Sequence, residues 1–438
     1  MITARQGIPD HLPYVPGPAV PRFAPAAGTA LVGFRERLLR LALFVTVVTS
    51  CIAFIEPSPH DLLVCLLLVI AAVTGLKFDR TIVALILPLL AWNVGGLVAL
   101  FNVAHDNKAI QYAITSLYLA VAAVLFASLL TRHTAERLDV LRKAYIAAAM
   151  IAATAGIAGY FRLFPGAGMF TLYDRALGTF KDPNVFGPFL IWPALAVMAR
   201  ILVERMRLTD LAVVAILTLG LLLSFSRGAW IHFAVSSAVM LALLFFTARD
   251  ARARYRLIGF SVIGLIAVLL LLAIALSISS VGDMFLQRAN ALNTYDVGQG
   301  GRFHLQELAL GALLDHPLGM GPLEFGRVYG LQQHNVYLQA LLVYGWLGGA
   351  AYFVLIGATI LFGLRNVFVP TPWQPYLIVS VATLIGVVGE GMVIDSDHWR
   401  HFFVILGLVW GLSAAAGSHR RSRSAALRQG TIARVARP

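Results

Sequence analysis

Charge is scarce in this sequence. Of its 438 residues only 13% are Asp, Glu, Lys or Arg, where a soluble domain carries about 25%. That is too little polar side chain to coat a water-facing surface, which excludes a soluble enzyme and a disordered chain. Cysteine is nearly absent. Cys51 and Cys65 both fall inside apolar runs, which excludes a disulfide scaffold and points to free thiols. Acid is the scarcer sign, 21 residues against 34 basic ones. A net charge of +13 would by itself suggest a nucleic-acid partner. Most of the basic residues, however, sit in short breaks between apolar runs, where membrane topology puts them. What is abundant is apolar side chain, 59% of the residues, with a mean hydropathy of +0.81. The fold class this implies is all-α, a polytopic integral membrane protein.

A ~30 Å hydrocarbon core needs about 20 apolar residues per crossing. The expected spans lie near 37–56, 61–76, 81–101, 109–130, 139–161, 185–203, 209–225, 228–247, 257–278, 336–363, 373–394 and 402–416. From Leu211 to Phe246 the chain is almost continuously apolar. As one helix that stretch would be ~54 Å long. It overshoots the bilayer, so the chain must turn at its only polar interruption, Ser224-Phe225-Ser226-Arg227-Gly228. About twelve transmembrane helices place both termini on one side, and most basic residues then fall inside. Residues 1–34 are expected to be a flexible Pro-rich cytoplasmic tail. Pro9, Pro13, Pro16, Pro18, Pro21 and Pro25 deny this stretch the helical apolar core of a signal peptide. Residues 35–417 form a single transmembrane domain. Residues 418–438 form a basic cytoplasmic tail suited to anionic headgroups.

Two outer loops are long, 162–184 and 279–334, the second partly helical between spans 9 and 10. Long loops in compact folds tend to be functional. They hold Arg162, Arg175, Lys181, Arg288, Arg302 and Arg327, on the side where topology disfavours basic residues. Arg227, flanked by very apolar helices, costs several kcal/mol unless it reaches water or a partner. It either binds a ligand or marks the hairpin and snorkels. A guanidinium stays charged and grips phosphate oxygens with two donors, so arginines on three outer segments suit a lipid-linked phosphate or pyrophosphate. His334 sits where the long loop re-enters the membrane as a helix. There it is either a neutral base for an attacking hydroxyl or an ordinary N-cap. Gly319-Met320-Gly321-Pro322 fails as a nucleotide motif and reads as a tight turn beneath the re-entering helix. Asp395, Asp397, His398 and His401 have metal-ligand character but lack a compelling third and fourth ligand, so no metal is expected. Glu390 is expensive to bury unpaired, and its expected partner is Arg227. His232 reads as a packing histidine.

The ordered set Gly178-Thr179-Phe180-Lys181-Asp182-Pro183-Asn184, Ser226-Arg227-Gly228-Ala229, Gly301-Arg302, His316-Pro317-Leu318-Gly319-Met320-Gly321 and His334-Asn335-Val336-Tyr337-Leu338-Gln339 resembles the O-antigen ligase / Wzy-type polymerase family of bacterial envelope glycosyltransferases. The resemblance covers roughly residues 170–350. It implies a metal-independent, inverting transferase of the inner membrane with its active site facing the periplasm. The donor would be an undecaprenyl-pyrophosphate-linked glycan, the acceptor lipid A-core or a growing polysaccharide, and no cofactor is needed. By the same resemblance Arg175, Arg227 and Arg302 bind the pyrophosphate, with Lys181 a further phosphate contact. His334 orients or deprotonates the acceptor hydroxyl, and the catalytic set is His334, Arg227 and Arg302. Wzy-type polymerases follow an arginine by a glycine at fixed gaps in two outer loops. Here Arg175 to Gly187 and Arg302 to Gly319 each miss that spacing by one residue, which favours ligase over polymerase. A secondary transporter or flippase is the alternative from another class. It would place charge at midspan in two related halves, and only Glu390 qualifies.

Overall fold

The computed structural model describes residues 27–204, 206–289, 298 and 300–435. The prolines of the N-terminal tail, Arg437 and part of the second long loop lie outside the described residues. A helix occupies each of the twelve apolar segments: α1 Ala27–Val48, α2 Pro59–Thr74, α3 Arg80–Leu100, α4 Asn107–Leu130, α5 Thr134–Tyr160, the pair α6 Pro183–Phe189 and α7 Ile191–Val203, α8 Leu208–Leu223, α9 Arg227–Thr247, α10 Ala251–Leu276, and after the long loop α14 Val336–Asn366, α15 Gln374–Glu390 and α16 Arg400–Val435. The long loop itself contains α11 Ser279–Ala289, α12 Arg302–Asp315 and α13 Glu324–Tyr329. Thr171–Leu172 (β1) and Arg175–Ala176 (β2) pair antiparallel in the loop before α6.

Eight of these helices, α6 and α7 taken as one, are long and apolar enough to cross a membrane. Pro59–Thr74, Leu208–Leu223 and Gln374–Glu390 are shorter apolar helices. The first helix carries Arg35, Glu36, Arg37 and Arg40 within its first 14 residues. Two tail boundaries shift. Helix α1 begins at Ala27, within the stretch read as tail, and α16 runs on through the C-terminal basic segment to Val435.

The helix starts are written locally. At the start of α2 the Asp61 carboxylate accepts the Ser58 N–H at 2.9 Å. Asp79, Asp106, Asp182, Ser226, Asp250 and Asn335 each accept a backbone N–H at the first turn of their helix, relieving donors that the helix cannot satisfy. The turn at 224–228 falls where length demanded it. Phe225 has φ +45°, and α9 starts at Arg227.

Small residues set the packing, as expected where lipid is as apolar as leucine. Helix α3 lies antiparallel to α14, with Gly95 against the backbone of Tyr344 and Gly348. Helix α16 follows α4, with Gly407 and Gly411 against Phe126, Ala127 and Leu130. Helices α9 and α15 also run antiparallel, so the start of α9 meets the end of α15. Cys51 is buried, Cys65 is exposed, and both are free thiols.

Candidate active site

Arg175 is buried although it lies in a loop. Its Nε donates to the Ser224 carbonyl at 2.8 Å and its Nη2 to Asn184 Oδ1 at 2.7 Å. The first long loop is thereby fastened to the α8–α9 turn. Ser226 caps that turn, its Oγ accepting the Ala229 N–H at 3.4 Å, and Arg227 is the first residue of α9. One residue on, Gly228 leaves room for Glu390, since a Cβ there would lie 2.8 Å from Glu390 Oε1.

The partner of Glu390 is His232, not Arg227. Glu390 Oε2 lies 2.8 Å from His232 Nδ1, and His232 Nε2 lies 3.1 Å from the Thr383 carbonyl. The correction has a geometric cause. His232 sits on the next turn of α9, on the face that α15 covers. The Thr383 carbonyl takes the Nε2 proton, so the pair is either imidazolium with carboxylate or imidazole with carboxylic acid. Both forms are net neutral, which makes burial tolerable.

The segment after Glu390 reaches the start of α14. The Gly391 carbonyl accepts the Val336 N–H at 2.8 Å. The Met392 carbonyl accepts Asn335 Nδ2 at 3.1 Å. Asp395 Oδ1 accepts the Asn335 N–H at 2.9 Å, while its Oδ2 lies 3.5 Å from His334 Nδ1. Asn335, not His334, is the N-cap, taking the N–H groups of Tyr337 and Leu338. His334 precedes the cap, half exposed, with φ +49°. Asp395 stands within ion-pair distance of Nδ1, so it favours the tautomer that keeps the proton there and puts the lone pair on Nε2.

Arg302 opens α12. Gln306, one turn later on the same face, donates from Nε2 to the carbonyls of His334 and Met392, each at 3.3 Å. Contacts therefore run without a break from Arg175 through Ser224, Ser226, Gly228, Glu390 and Gly391 to Asn335, His334 and Gln306. They hold Arg175, Arg227, Arg302 and His334 at one end of the bundle. Lys181 does not join them. Its ammonium pairs with Glu56 at 2.8 Å in the loop between α1 and α2. The side chains from Asp395 to His401 do not all meet at a single point either. Asp395 meets His334, Asp397 meets Tyr112 and Tyr344, His398 meets Ser116, and His401 lines a cavity with Tyr145 and Phe189. Among the described residues no group of three or more His, Cys, Asp or Glu is placed to hold a metal ion. The roles of Gln306 and Asn335 went unread in the sequence because their work is done through backbone carbonyls and N–H groups.

A family model described as O-Antigen ligase matches residues 212–353. The match bears out the resemblance to the O-antigen ligase / Wzy-type family over that stretch of the chain. No curated protein matches the chain. The O-antigen ligase stretch contains Arg227, Arg302 and His334, whereas Arg175, Lys181 and Asp395 lie beyond its ends. The family implies a glycosyltransferase-like ligase that handles polysaccharide and lipid-linked glycan, and the apolar helices make this chain a multi-pass membrane protein.

Proposed function

We propose that this chain transfers a glycan from an undecaprenyl-pyrophosphate donor to an acceptor hydroxyl, in the manner of an O-antigen ligase, on the periplasmic face of the inner membrane. The continuous path of contacts from Arg175 to Gln306 carries the reading, because it brings guanidinium-bearing segments from three parts of the chain to the helix start beside His334. Arg227 and Arg302 hold the pyrophosphate and stabilise the charge that grows as it departs. The buried Arg175 fixes the turn that presents Arg227. His334, held by Asp395, takes the proton from the acceptor hydroxyl through Nε2. The hydroxyl oxygen bonds to the anomeric carbon while the bond to the pyrophosphate oxygen breaks on the opposite face, so the configuration inverts. Pyrophosphate leaves as an anion without protonation, and catalysis then rests on positioning and electrostatics, with no metal in the scheme.

The acceptor is lipid A-core or a growing polysaccharide. Both termini are cytoplasmic and the crossings number twelve. The 16-residue helices are only about 24 Å long, a mismatch the bilayer accommodates by local thinning.

The test is transfer from a lipid-linked glycan by the purified full-length protein. Arg227→Ala and His334→Ala are each expected to lower the rate by about 10²-fold or more while the protein accumulates in the membrane and melts normally. Arg302→Lys, which keeps the charge but loses the fork, is expected to fall between wild type and Arg302→Ala. Full activity in both Arg227→Ala and His334→Ala would refute the site.

A further inference from the structure

A second polar cluster lies beneath His334, and the mechanism above does not use it. Asp397 is buried, and its Oδ2 accepts the hydroxyl protons of Tyr112 and Tyr344. Two lines of donors run into that one carboxylate. In the first, Gln333 Nε2 donates to Gln339 Oε1, and Gln339 Nε2 donates to Tyr112 Oη at 2.8 Å. In the second, His398 Nε2 lies 2.8 Å from Ser116 Oγ, and Ser116 Oγ lies 2.6 Å from Tyr344 Oη. Because Tyr344 spends its proton on Asp397, Ser116 must donate to Tyr344 and His398 to Ser116.

The ends of this network are informative. Gln333 is the residue before His334, and Asp397 is two residues after Asp395. Both halves of the His334–Asp395 contact are thus anchored on one buried carboxylate. We propose that Asp397 is a positioning residue for the transfer reaction, acting through Tyr112, Gln339 and Gln333 on one side and through its own segment on the other to set the approach of Asp395 to His334. The proposal rests on the reading of His334 as the base.

A merely structural aspartate in this place would be an odd choice. Burial, and after it the Asp395 charge, push the Asp397 carboxyl up to about 7, with the Tyr112 and Tyr344 hydroxyls pulling the other way. The groups that face it are those two tyrosines from α4 and α14, Tyr352 of α14, which bonds Ser396, and Asp395 of its own segment. His398 next to it is held neutral, pushed down to about 3 by burial and the Arg400 charge. Asp397 therefore changes charge near neutral pH. Ionised, it is the stronger acceptor for both tyrosines, which tightens the network that positions Asp395 against His334. Its ionisation therefore favours activity as pH rises.

The experiment compares wild type, Asp397→Asn, Tyr112→Phe and His334→Ala in glycan transfer from pH 5.5 to 9, with kcat and the donor KM measured separately. Asp397→Asn is expected to lose about ten- to a hundredfold in kcat, the scale of a misplacement of roughly an ångström, with the donor KM unchanged. The part of the acid limb of log kcat against pH that lies near 7 should be lost. Tyr112→Phe, which removes a single hydroxyl, should lose several-fold in kcat and soften the same limb. It also stands in if Asp397→Asn does not fold. A wild-type rate and limb in Asp397→Asn, or in Tyr112→Phe where the first variant does not fold, overturns the proposal while an inactive His334→Ala leaves the base assignment standing. An active His334→Ala removes the base on which the proposal depends.

Discussion

Gly228 is followed across the helix interface by Glu390, whose Oε1 and Cγ would lie 2.8 Å and 3.2 Å from an added Cβ. One methyl group there must displace either the carboxylate from His232 or the start of α9 itself. Overpacking of this kind costs about 1–3 kcal/mol. Gly228→Ala is therefore expected to lower the melting temperature in detergent and, because Arg227 is its neighbour, to reduce transfer more than the lost stability alone explains. A second residue-scale prediction concerns pH. Asp397 is held at about 7 in the fold, against about 3.9 in an unfolded chain. A carboxyl raised on folding contributes stability that is complete below the unfolded value and is lost as pH climbs through the folded one. His398 works oppositely. Its folded value near 3 lies below the ordinary 6.5, so its contribution is complete above 6.5 and is lost as pH falls toward 3. Between about 4 and 6.5 the two offset. From 6.5 to 8 only Asp397 acts, so thermal unfolding should show wild type losing stability relative to Asp397→Asn over that interval. Equal trends in the two proteins would refute the assignment.

Helix α14 is read from the sequence as one apolar run, yet it is broken. Gly345 has φ +68° and non-helical backbone, and the segment Pro317–Gly321 fills the break. The Trp346 N–H reaches the Pro317 carbonyl at 2.9 Å, and the Met320 N–H reaches the Leu342 carbonyl at 2.7 Å. The tight turn expected at Gly319 to Pro322 is present, with φ +87° at Gly319 and +97° at Gly321. Its role as a wedge in α14 was not legible, because periodicity reports which face is apolar and is silent about a gap in the hydrogen-bond ladder. Gly345→Ala forces a Cβ into left-handed backbone against the Leu318 carbonyl carbon at 2.7 Å. A residue held in such a conformation costs about 1–3 kcal/mol. The variant should melt lower, and limited proteolysis should cut within 316–322 faster than in wild type. His334 lies three turns upstream of the break, so transfer should decline less than in Gly228→Ala.

Across the whole molecule, what could be read in advance was local. Apolar length placed a helix at each expected segment, and the 224–228 turn followed from bilayer thickness together with the one polar interruption of the run. Arg227 and His334 stood out at the edges of apolar helices, and Arg302 as a basic residue in an outer loop where topology disfavours it. The pairings between distant segments were illegible. Asp395 with His334, Glu390 with His232, and Asp397 with Tyr112 join residues 61, 158 and 285 positions apart, and nothing in spacing ranks one such pair over another. The same limit applies to how tightly a helix is held. Helices α10 and α16 both read as spans, but the most apolar stretch of α16 is 89% buried inside the protein and that of α10 only 6%. From Val262 to Leu270 every residue of α10 is exposed. The helix touches the bundle near its ends, where Leu257 and Ala275 are buried, and lipid must fill the rest of its circumference. Truncating a leucine that faces lipid exchanges one apolar contact for another, whereas truncating one inside leaves a cavity. Leu406→Ala in α16 should therefore cost about 2–5 kcal/mol. Leu269→Ala in α10 should change stability by no more than about 0.5 kcal/mol. Unfolding in a mild denaturant would measure both, and comparable losses at the two leucines would mean that α10 packs against protein along its length.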